Sequence, residues 1–238
     1  MDKNEIKETL GREAVDALVK SGMKLGLGTG STAIFAVRRL AFLLSNGKLK
    51  DIMVVPTSFQ TSIECEELGI PLFSLNSRTI DGRLDLTIDG ADEVDGQNRL
   101  VKGGGGALLP EKIVAYSSLS YAIVVDDSKI VESLGRIFPV PVEIVPLSRM
   151  PVTHALQKLG AEVTLRAAQR KAGPVITDQG NLLLDIRFKE AVDPAVMEAK
   201  INNIPGVVEN GFFTGPLDNP LRPIIFIGHR DGNVERRN

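Results

Sequence analysis

The sequence predicts an α/β fold: a doubly wound, mostly parallel, Rossmann-like sheet with a smaller inserted α+β domain of the ferredoxin-like type. Short apolar segments alternate with helical patterns through the first half of the chain, which is typical of a parallel sheet covered by helices. After about residue 135 the order of predicted elements changes to β-α-β-β-α-β. We therefore expect one domain formed by residues 1–134 and 210–238, and a second formed by residues 135–209.

Hydrophobic periodicity predicts the elements of the first domain. The helical patterns cover residues 4–20, 31–45, 58–68 and 110–118. The short apolar segments typical of strands cover residues 23–27, 52–55, 70–73, 84–88 and 121–125. The tail, PIIFIGHRDGNVERR, has the pattern of a strand, an Asp-Gly turn and a return strand, and we expect it to complete the first sheet.

The second domain follows from a series of segments between the two parts of the first. The segment PVPVEIVP predicts its first strand, and residues 161–165, 174–187 and 206–213 predict further strands, with a turn at 178–181. Helices are predicted over residues 151–159 and over residues 194–203, where Pro194 is a typical first helical residue.

Composition excludes several classes of protein. The chain has 238 residues, of which 43% are hydrophobic and 24% charged, and no apolar run approaches the eighteen or so residues of a membrane span. A formal net charge of −2 gives no general attraction to nucleic acid or to a membrane. The single cysteine, Cys65, cannot form an internal disulfide. We therefore expect a cytoplasmic protein with a small-molecule partner, and an anionic ligand would need a local positive potential.

A glycine-rich loop, GLGTGST at residues 26–32, joins the first strand to the helix that follows. Backbone N–H groups and the helix dipole favour an anion there. A dinucleotide fingerprint is excluded because the third glycine comes one residue early, and a P-loop is excluded because there is no lysine. What remains is a cup around Thr29, Gly30, Ser31 and Thr32, sized for a single phosphoryl group. The alternative is a tight turn, with Ser31 as helix N-cap and nothing bound.

A second loop, DGADEVDGQNRLVKGGGGALLPE at residues 89–111, carries most of the remaining polar chemistry. It places four acids directly after the strand 84–88: Asp89, Asp92, Glu93 and Asp95. Because ligands bind at the carboxyl ends of parallel strands, we expect Asp89 and Asp92 to stand beside the cup. One alternative is an Asx-turn with solvated charges. The other is a divalent metal site, which the spacing of the acids matches only in part.

Acids and a lysine near a phosphate cup indicate sugar-phosphate chemistry, with proton transfer as the simplest reaction. Glu111 follows Pro110 at a predicted helix start, where the dipole keeps a carboxylate ionised and available as a base. Lys102 and the N–H groups of the glycines at 103–106 can stabilise an enediolate. Lys129 follows the strand 121–125 and can meet a phosphate. The alternatives are a first-turn glutamate that serves stability alone and a solvated lysine.

Several motifs together resemble the A-type ribose-5-phosphate isomerase family. They are GTGST at 28–32, DGADEVD at 89–95, KGGGGALLPEK at 102–112, DDSK at 126–129, FPVPVEIVP at 138–146 and KINNIPGVV at 200–208. The resemblance covers nearly the whole chain in order. One departure is the run of four glycines after Lys102, where other members often have an arginine or an alanine.

The resemblance implies an aldose-ketose isomerase that interconverts D-ribose 5-phosphate and D-ribulose 5-phosphate in the pentose phosphate pathway. It implies no metal and no organic cofactor, and a homodimer or homotetramer. The loop Thr29, Gly30, Ser31 and Thr32 would hold the phosphate together with Lys129. The sugar would be surrounded by Asp89, Gly90, Ala91 and Asp92 and by Lys102, Gly103, Gly104 and Gly105. Glu111 would be the proton acceptor, and Asp89 would assist ring opening.

Two other functions stay open at this point. An amino-sugar phosphate deaminase on a similar sheet would bring a histidine to the site, yet His154 and His229 are both distant from the loops in sequence. A sugar-phosphate-sensing module without catalysis would carry a DNA-binding helix-turn-helix and a basic patch, and the sequence before Met23 has no room for one.

Overall fold

The structure is a computed structural model that describes residues 1–215 and 222–238; residues 216–221 of the predicted first domain lie outside the described residues. Its helices are Lys3–Leu18 (α1), Ala33–Ser45 (α2), Phe59–Glu67 (α3), Leu108–Tyr116 (α4), Arg149–Lys158 (α5) and Pro194–Asn202 (α6). None of the helices in the described ranges is long and apolar enough to cross a membrane.

The strands alternate with these helices. They are Lys24–Leu27 (β1), Met53–Pro56 (β2), Leu84–Asp89 (β3), Glu93–Val94 (β4), Leu100–Val101 (β5), Ser118–Asp126 (β6), Val140–Ile144 (β7), Ala161–Leu165 (β8), Leu182–Phe188 (β9), Val207–Asn210 (β10), Phe212–Phe213 (β11), Ile224–Gly228 (β12) and Val234–Arg237 (β13).

In the part of the chain that the structure describes, the first compact unit contains residues 1–91, 110–129 and 222–238 and is built on one large sheet. Within the described residues this sheet has the order β13-β12-β6-β3-β1-β2. All neighbouring strands pair in parallel except β13, which returns antiparallel to β12. The predicted parallel sheet and its completion by the tail are therefore confirmed.

Helices cover both faces of this sheet because its side chains alternate. Leu25 and Leu27 on β1 belong to a buried cluster that includes apolar residues of α1 and α2. Gly26 points to the other face, where a Cβ atom would lie 2.4 Å from Cγ1 of Val114 on α4. The doubly wound arrangement follows directly from this alternation.

The strand predicted at residues 70–73 is wrong. Only Leu72 forms a bridge there, to Val54, through hydrogen bonds from Val54 N to Pro71 O and from Phe73 N to Val54 O. A longer parallel ladder would next require the N–H of residue 71 as a donor. Pro71 has no N–H, so the pairing cannot extend toward residue 70.

The second compact unit contains residues 92–109 and 130–215. Its larger sheet has the order β10-β7-β9-β8 with antiparallel pairs, and α5 and α6 occupy the two crossover positions in the chain. This is the ferredoxin-like β-α-β-β-α-β unit that the sequence predicts. Alternate residues of β7 (Val140, Val142 and Ile144) lie in its apolar core with Val152 and Leu156 of α5.

Two strand predictions in this unit need correction. The segment 174–187 contains one strand, β9, and before it only isolated bridges at Pro174 and Ile176. The segment 206–213 is divided between β10 and β11, which belong to different sheets. The division falls at Gly211, whose N–H donates to Pro141 O at 2.7 Å and whose missing Cβ would lie 2.5 Å from Lys102 O.

A smaller sheet with the order β11-β5-β4 completes the second unit within the described residues. It draws on residues 92–109 and 210–215, which the sequence-based boundaries at 134/135 and 209/210 place with the first domain. Periodicity does not show this grouping because β4, β5 and β11 are each two residues long.

Cys65 lies on α3 and is completely buried. Burial, aided by the neighbouring charges of Glu64 and Glu66, raises the pKa of the Cys65 thiol to about 12. The thiolate, which is the reactive form of cysteine, is therefore scarce at neutral pH.

Glu143 is a buried carboxyl group on β7. Its Oε1 accepts hydrogen bonds from Thr177 Oγ1 at 2.8 Å and Asn181 Nδ2 at 2.9 Å, whereas Oε2 has no hydrogen-bond partner among the described residues. Burial raises the pKa of Glu143, and the two hydrogen bonds offset only part of this effect.

We expect Glu143→Gln to become increasingly stabilising, relative to the wild type, as pH rises. The unfolded glutamate ionises near 4.5, whereas the folded pKa is higher, so the wild-type contribution is complete below about 4.5 and is lost as pH rises through the folded value. The difference grows by up to about 1.4 kcal/mol per unit of pKa shift. Urea unfolding between pH 5 and 8 measures it. Glu162→Gln, at an exposed position on β8, is the control, and a pH-independent difference for Glu143→Gln would contradict the assignment.

Candidate active site

The carboxyl ends of β1, β3 and β6 lie at one edge of the large sheet in the first unit. The register shows this, because Leu27 pairs with Ile88 and Ile88 pairs with Ala122. The loop 26–32 follows β1, Asp89 ends β3, and Lys129 follows β6. Residues that the sequence predicts for one site therefore stand at the same strand edge of this unit.

Asp89 is packed against the backbone of the glycine loop and is 0% exposed. Its Oδ1 accepts hydrogen bonds from Thr29 N at 3.1 Å and Gly90 N at 2.7 Å. A Cβ atom on Gly28 would lie only 1.9 Å from that oxygen. Gly28 is therefore required by the close approach of the Asp89 carboxylate, which in turn fixes the backbone at the start of the cup.

The hydroxyl of Thr29 contacts other hydroxyl groups of the same unit. Its Oγ1 lies 2.7 Å from Thr57 Oγ1 and 2.7 Å from Ser58 Oγ. Thr61 joins this group, and its hydroxyl donates to Gly28 O at 2.8 Å. The sequence analysis noted the hydroxyl-bearing residues of the loop 26–32 but did not predict this cluster. Thr57 and Ser58, which directly follow β2, could have indicated it.

The start of α2 differs from the prediction. The helix begins at Ala33, and Thr32, in the N-cap position, makes no side-chain capping hydrogen bond. Its backbone has φ −100° and ψ −44°, a helical conformation instead of the extended one that directs a capping side chain. Gly30 has φ +106°, in the region that favours glycine.

Lys7 of α1 contacts this loop, which the sequence did not indicate. Its Nζ donates a hydrogen bond to Ser31 Oγ at 2.8 Å, which places an ammonium group at the exposed end of the cup. Lys7 lies on α1, 24 positions earlier in the chain. A lysine on an amphipathic helix carries no local sign that it meets a distant loop.

Glu111 lies in the first turn of α4 and is only 3% exposed. The helix begins at Leu108, so Pro110 is its third residue and not its first as predicted; proline is tolerated there because first-turn N–H groups have no intrahelical acceptor. Val114, about one turn later, packs against Gly26 and Thr87. Because α4 turns tightly into β6, its first turn faces the strand edge that carries Asp89.

Lys129 ends a short 3-10 turn, Asp127–Lys129, that directly follows β6. Asp126 stabilises this turn by accepting hydrogen bonds from the Ser128 N–H, at 3.1 Å, and from the Ser128 hydroxyl. The Lys129 side chain is half-buried. The prediction that Lys129 stands at the edge of the sheet is therefore consistent with its place in the fold.

The second unit carries Asp92 and the glycine run. Asp92 N donates to Val101 O at 2.8 Å, and Asp92 Oδ2 accepts from Gly104 N at 2.7 Å. A Cβ atom on Gly104 would lie 2.6 Å from Asp92 Oδ1. Gly103 has φ +97°, and Gly105 is exposed. Backbone conformation therefore favours glycine at position 103, and the close carboxylate requires it at position 104.

Lys102 is the last residue before this run and is only 2% exposed. Its ammonium nitrogen lies 5.6 Å from the centroid of the Phe213 ring, within range of a cation–π interaction. Its backbone N–H donates to Gly211 O at 2.9 Å. These contacts give the buried Lys102 side chain a defined position in the second unit.

Glu93 and Asp95 serve the internal structure of the second unit. Glu93 accepts hydrogen bonds from the backbone N–H groups of Gly135 and Phe138, both at 2.6 Å. Asp95 closes its own turn and binds Arg99 Nε at 2.7 Å. Among the residues described, no group of three or more His, Cys, Asp or Glu side chains is arranged to hold a metal ion.

A mostly parallel sheet with a glycine loop after β1 and buried carboxyl groups at its strand ends is an arrangement typical of α/β enzymes. The sequence model of the family "Ribose 5-phosphate isomerase A (phosphoriboisomerase A)" matches residues 53–232. The ribose-5-phosphate isomerase A of Treponema denticola is 53% identical, with 99% of both chains covered.

Solved structures agree with this result. The ribose 5-phosphate isomerase A of Methanocaldococcus jannaschii is similar with a TM-score of 0.90, 39% identity and 100% of each chain covered. A D-ribose-5-phosphate isomerase in complex with phospho-erythronic acid is similar with a TM-score of 0.93, 38% identity and the same coverage. The chain belongs to the ribose 5-phosphate isomerase A family, which confirms the resemblance noted in its sequence, and it is an isomerase.

We expect Gly28→Ala to destabilise the protein by about 1–3 kcal/mol, the usual range for overpacking a closed site. The added methyl group would overlap the Asp89 carboxylate, and either that group or β1 must move. Gly90→Ala is the matched control, because its Cβ would lie 3.8 Å from the nearest atom, Val124 O. Urea unfolding gives both free energies, and equal values for the two variants would contradict the steric argument.

Proposed function

We propose that the chain interconverts D-ribose 5-phosphate and D-ribulose 5-phosphate, the aldose-ketose isomerisation of the non-oxidative branch of the pentose phosphate pathway. Membership of the ribose 5-phosphate isomerase A family supports this. The observation that carries the mechanism is the buried Glu111 carboxylate in the first turn of α4, at the strand edge where Asp89 is held.

The substrate phosphate binds at the glycine loop of the first unit. Its donors are the backbone N–H groups of Gly30, Ser31 and Thr32 and the hydroxyl groups of Ser31 and Thr32. Lys129 and Lys7 supply positive charge. The Lys7–Ser31 contact of 2.8 Å supports the inclusion of Lys7. Thr29 helps to shape the cup, since its N–H and hydroxyl already bind Asp89 and the hydroxyl cluster. Charged donors make the strongest hydrogen bonds to phosphate oxygens.

Asp89, Gly90, Ala91 and Asp92 surround the sugar. Asp89 assists opening of the furanose ring by taking the proton of the anomeric hydroxyl and delivering one to the ring oxygen as the bond between carbon 1 and that oxygen breaks. The two N–H donors on Asp89 Oδ1 support this assignment because they fix the carboxylate in one orientation. Asp89 and Asp92 are three positions apart in the chain, a reach of about 10 Å at most.

Glu111 removes the proton from carbon 2 of the open-chain aldose and returns it to carbon 1. The electron pair of the broken C–H bond forms the double bond of a cis-enediolate, and negative charge develops on the carbonyl oxygen at carbon 1. That oxygen takes up the proton that the hydroxyl group on carbon 2 gives up, so carbon 2 becomes the carbonyl carbon of the ketose when carbon 1 is protonated. Lys102 and the N–H groups of Gly103, Gly104 and Gly105 stabilise that charge. The burial of Lys102 supports this role, because a charge interacts more strongly away from water.

The chemistry of these side chains supplies a base, an acid and a cation without a metal ion or an organic cofactor. We also propose a cytoplasmic location, in keeping with the single buried Cys65, and assembly into a homodimer or homotetramer.

An isomerase assay tests the proposal directly. The purified chain is incubated with D-ribose 5-phosphate, and D-ribulose 5-phosphate is followed by absorbance with and without a chelator. We expect turnover that survives the chelator. Ammonia release from an amino-sugar phosphate, or tight binding of the sugar phosphate with no turnover, would instead indicate a deaminase or a sensor.

Glu111→Gln should lower kcat by about 10²–10⁴-fold, because the amide cannot accept the proton from carbon 2. The melting temperature and the inhibition by inorganic phosphate should stay close to the wild type. Glu5→Gln is the matched control, since Glu5 is also a first-turn glutamate, on α1. Near wild-type turnover in Glu111→Gln would remove Glu111 as the base.

Lys7→Ala should raise KM for the sugar phosphate by about tenfold or more, the loss of one charge-assisted hydrogen bond, with a smaller change in kcat. Lys3→Ala is its control, because Lys3 is exposed and lies one turn earlier on α1. Steady-state kinetics at fixed ionic strength gives both values. An unchanged KM in Lys7→Ala would exclude a phosphate contact.

A further inference from the structure

Arg166 is a partly buried arginine of the second unit, and it directly follows β8. Its backbone is held on both sides, because its N–H donates to Leu183 O and its carbonyl accepts from Val175 N, each at 2.9 Å. Its side chain is only 15% exposed. Neither the sequence motifs nor the proposed reaction includes this residue.

The guanidinium group of Arg166 donates hydrogen bonds from two of its edges, from one to a carboxylate and from the other to two backbone carbonyl groups. Nε and Nη2 donate to Asp185 Oδ2 and Oδ1 at 2.9 and 2.5 Å, a bidentate ion pair with a carboxylate on β9 that is 20% exposed. Nη1 donates to Gly103 O and Gly104 O, both at 3.1 Å. Asp185 thus fixes the plane of the guanidinium, and the guanidinium holds two carbonyl groups of the glycine run.

These two carbonyls determine where the next two N–H groups point. The carbonyl of Gly103 shares a peptide plane with the N–H of Gly104, and the carbonyl of Gly104 shares one with the N–H of Gly105. In a trans peptide the two groups point in opposite directions. The Gly104 N–H donates to Asp92 Oδ2 at 2.7 Å, on the side away from the guanidinium. The Gly105 N–H is likewise directed away from Arg166, on an exposed residue.

We propose that Arg166, locked by Asp185, is a positioning residue for the isomerisation. It orients the peptide planes at 103–105 so that one N–H holds Asp92 and the next faces the oxygen on which negative charge develops. A cation on the carbonyl side also polarises each peptide and strengthens its N–H as a donor. This inference rests on the proposed function of the glycine run.

Lysine cannot replace arginine in this arrangement. An ammonium group is a single point, whereas the guanidinium reaches a carboxylate and two carbonyls at once with fixed geometry. The second unit also offers a matched control in Arg187 on β9. Arg187 Nη1 donates to the carbonyls of Arg136 and Ile137, at 3.2 and 2.5 Å, in a part of the chain to which no role in the reaction is assigned.

The experiment compares Arg166→Lys and Arg187→Lys with the wild type. For Arg166→Lys we expect kcat to fall by about 10–100-fold, the usual effect of misplaced catalytic groups, while KM changes by less than about threefold. Inhibition by phospho-erythronic acid, whose carboxylate adds negative charge, should weaken by about tenfold or more, and inhibition by inorganic phosphate should stay unchanged. Arg187→Lys should match the wild type in all four values.

The outcomes separate the two proposals. A wild-type chain without isomerase activity would overturn the proposed function and this inference with it. An active wild type, with Arg166→Lys equal to Arg187→Lys in kcat and in phospho-erythronic acid inhibition, would overturn the inference alone. A parallel loss of affinity for both inhibitors would also overturn it, since that result indicates general disorder of the site.

A second variant keeps the test valid if Arg166→Lys is poorly folded. Asp185→Asn retains the arginine but removes the charge that fixes the guanidinium plane. We expect the same selective loss of kcat and of phospho-erythronic acid affinity, to a smaller extent. Unchanged kinetics in Asp185→Asn, in a protein with a wild-type melting temperature, would contradict the positioning role.

Discussion

The contact between the buried Asp89 carboxylate and the backbone of the glycine loop is the constraint on which the first unit's strand edge depends. Parallel pairing of β1 and β3 brings the two segments together, and the absence of a Cβ atom at Gly28 lets the carboxylate approach. Two N–H groups then donate hydrogen bonds to Oδ1 of the acid in its buried place. The shape of the glycine loop and the orientation of the Asp89 carboxylate therefore depend on each other.

The second unit uses the same principle several times. Asp92 binds the N–H of Gly104, and Glu93 binds N–H groups of the segment 135–138. Carboxylates in such places act as fixed acceptors for backbone N–H groups. The need for such acceptors explains why several acids occur in the loop 89–111, and an acid there need not take part in a reaction.

Much of the fold could be predicted because hydrophobic periodicity responds to the same burial that builds the sheets. The predictions failed where backbone chemistry overrode the pattern. The strand predicted at 70–73 did not form because Pro71 lacks the N–H that a longer ladder would need. The helix α4 begins two residues before Pro110, which is possible since a first turn tolerates proline. The two-residue strands β4, β5 and β11 were too short for any periodicity. The candidate site was predictable where its residues end a strand, as Asp89 does, or closely follow one, as Lys129 does.

The sequence by itself determined which residue types stand at the strand ends, since that information is local: a glycine loop after β1, an acid at the end of β3 and a lysine after β6. Only the tertiary structure decided which partners reach them. Lys7 contacts Ser31 across 24 positions of the chain, and the Thr29 hydroxyl contacts that of Thr57 across 28. Arg166 binds carbonyl groups of the glycine run that lie more than 60 positions away. Such contacts arise from the packing of whole elements, which no spacing along the chain encodes.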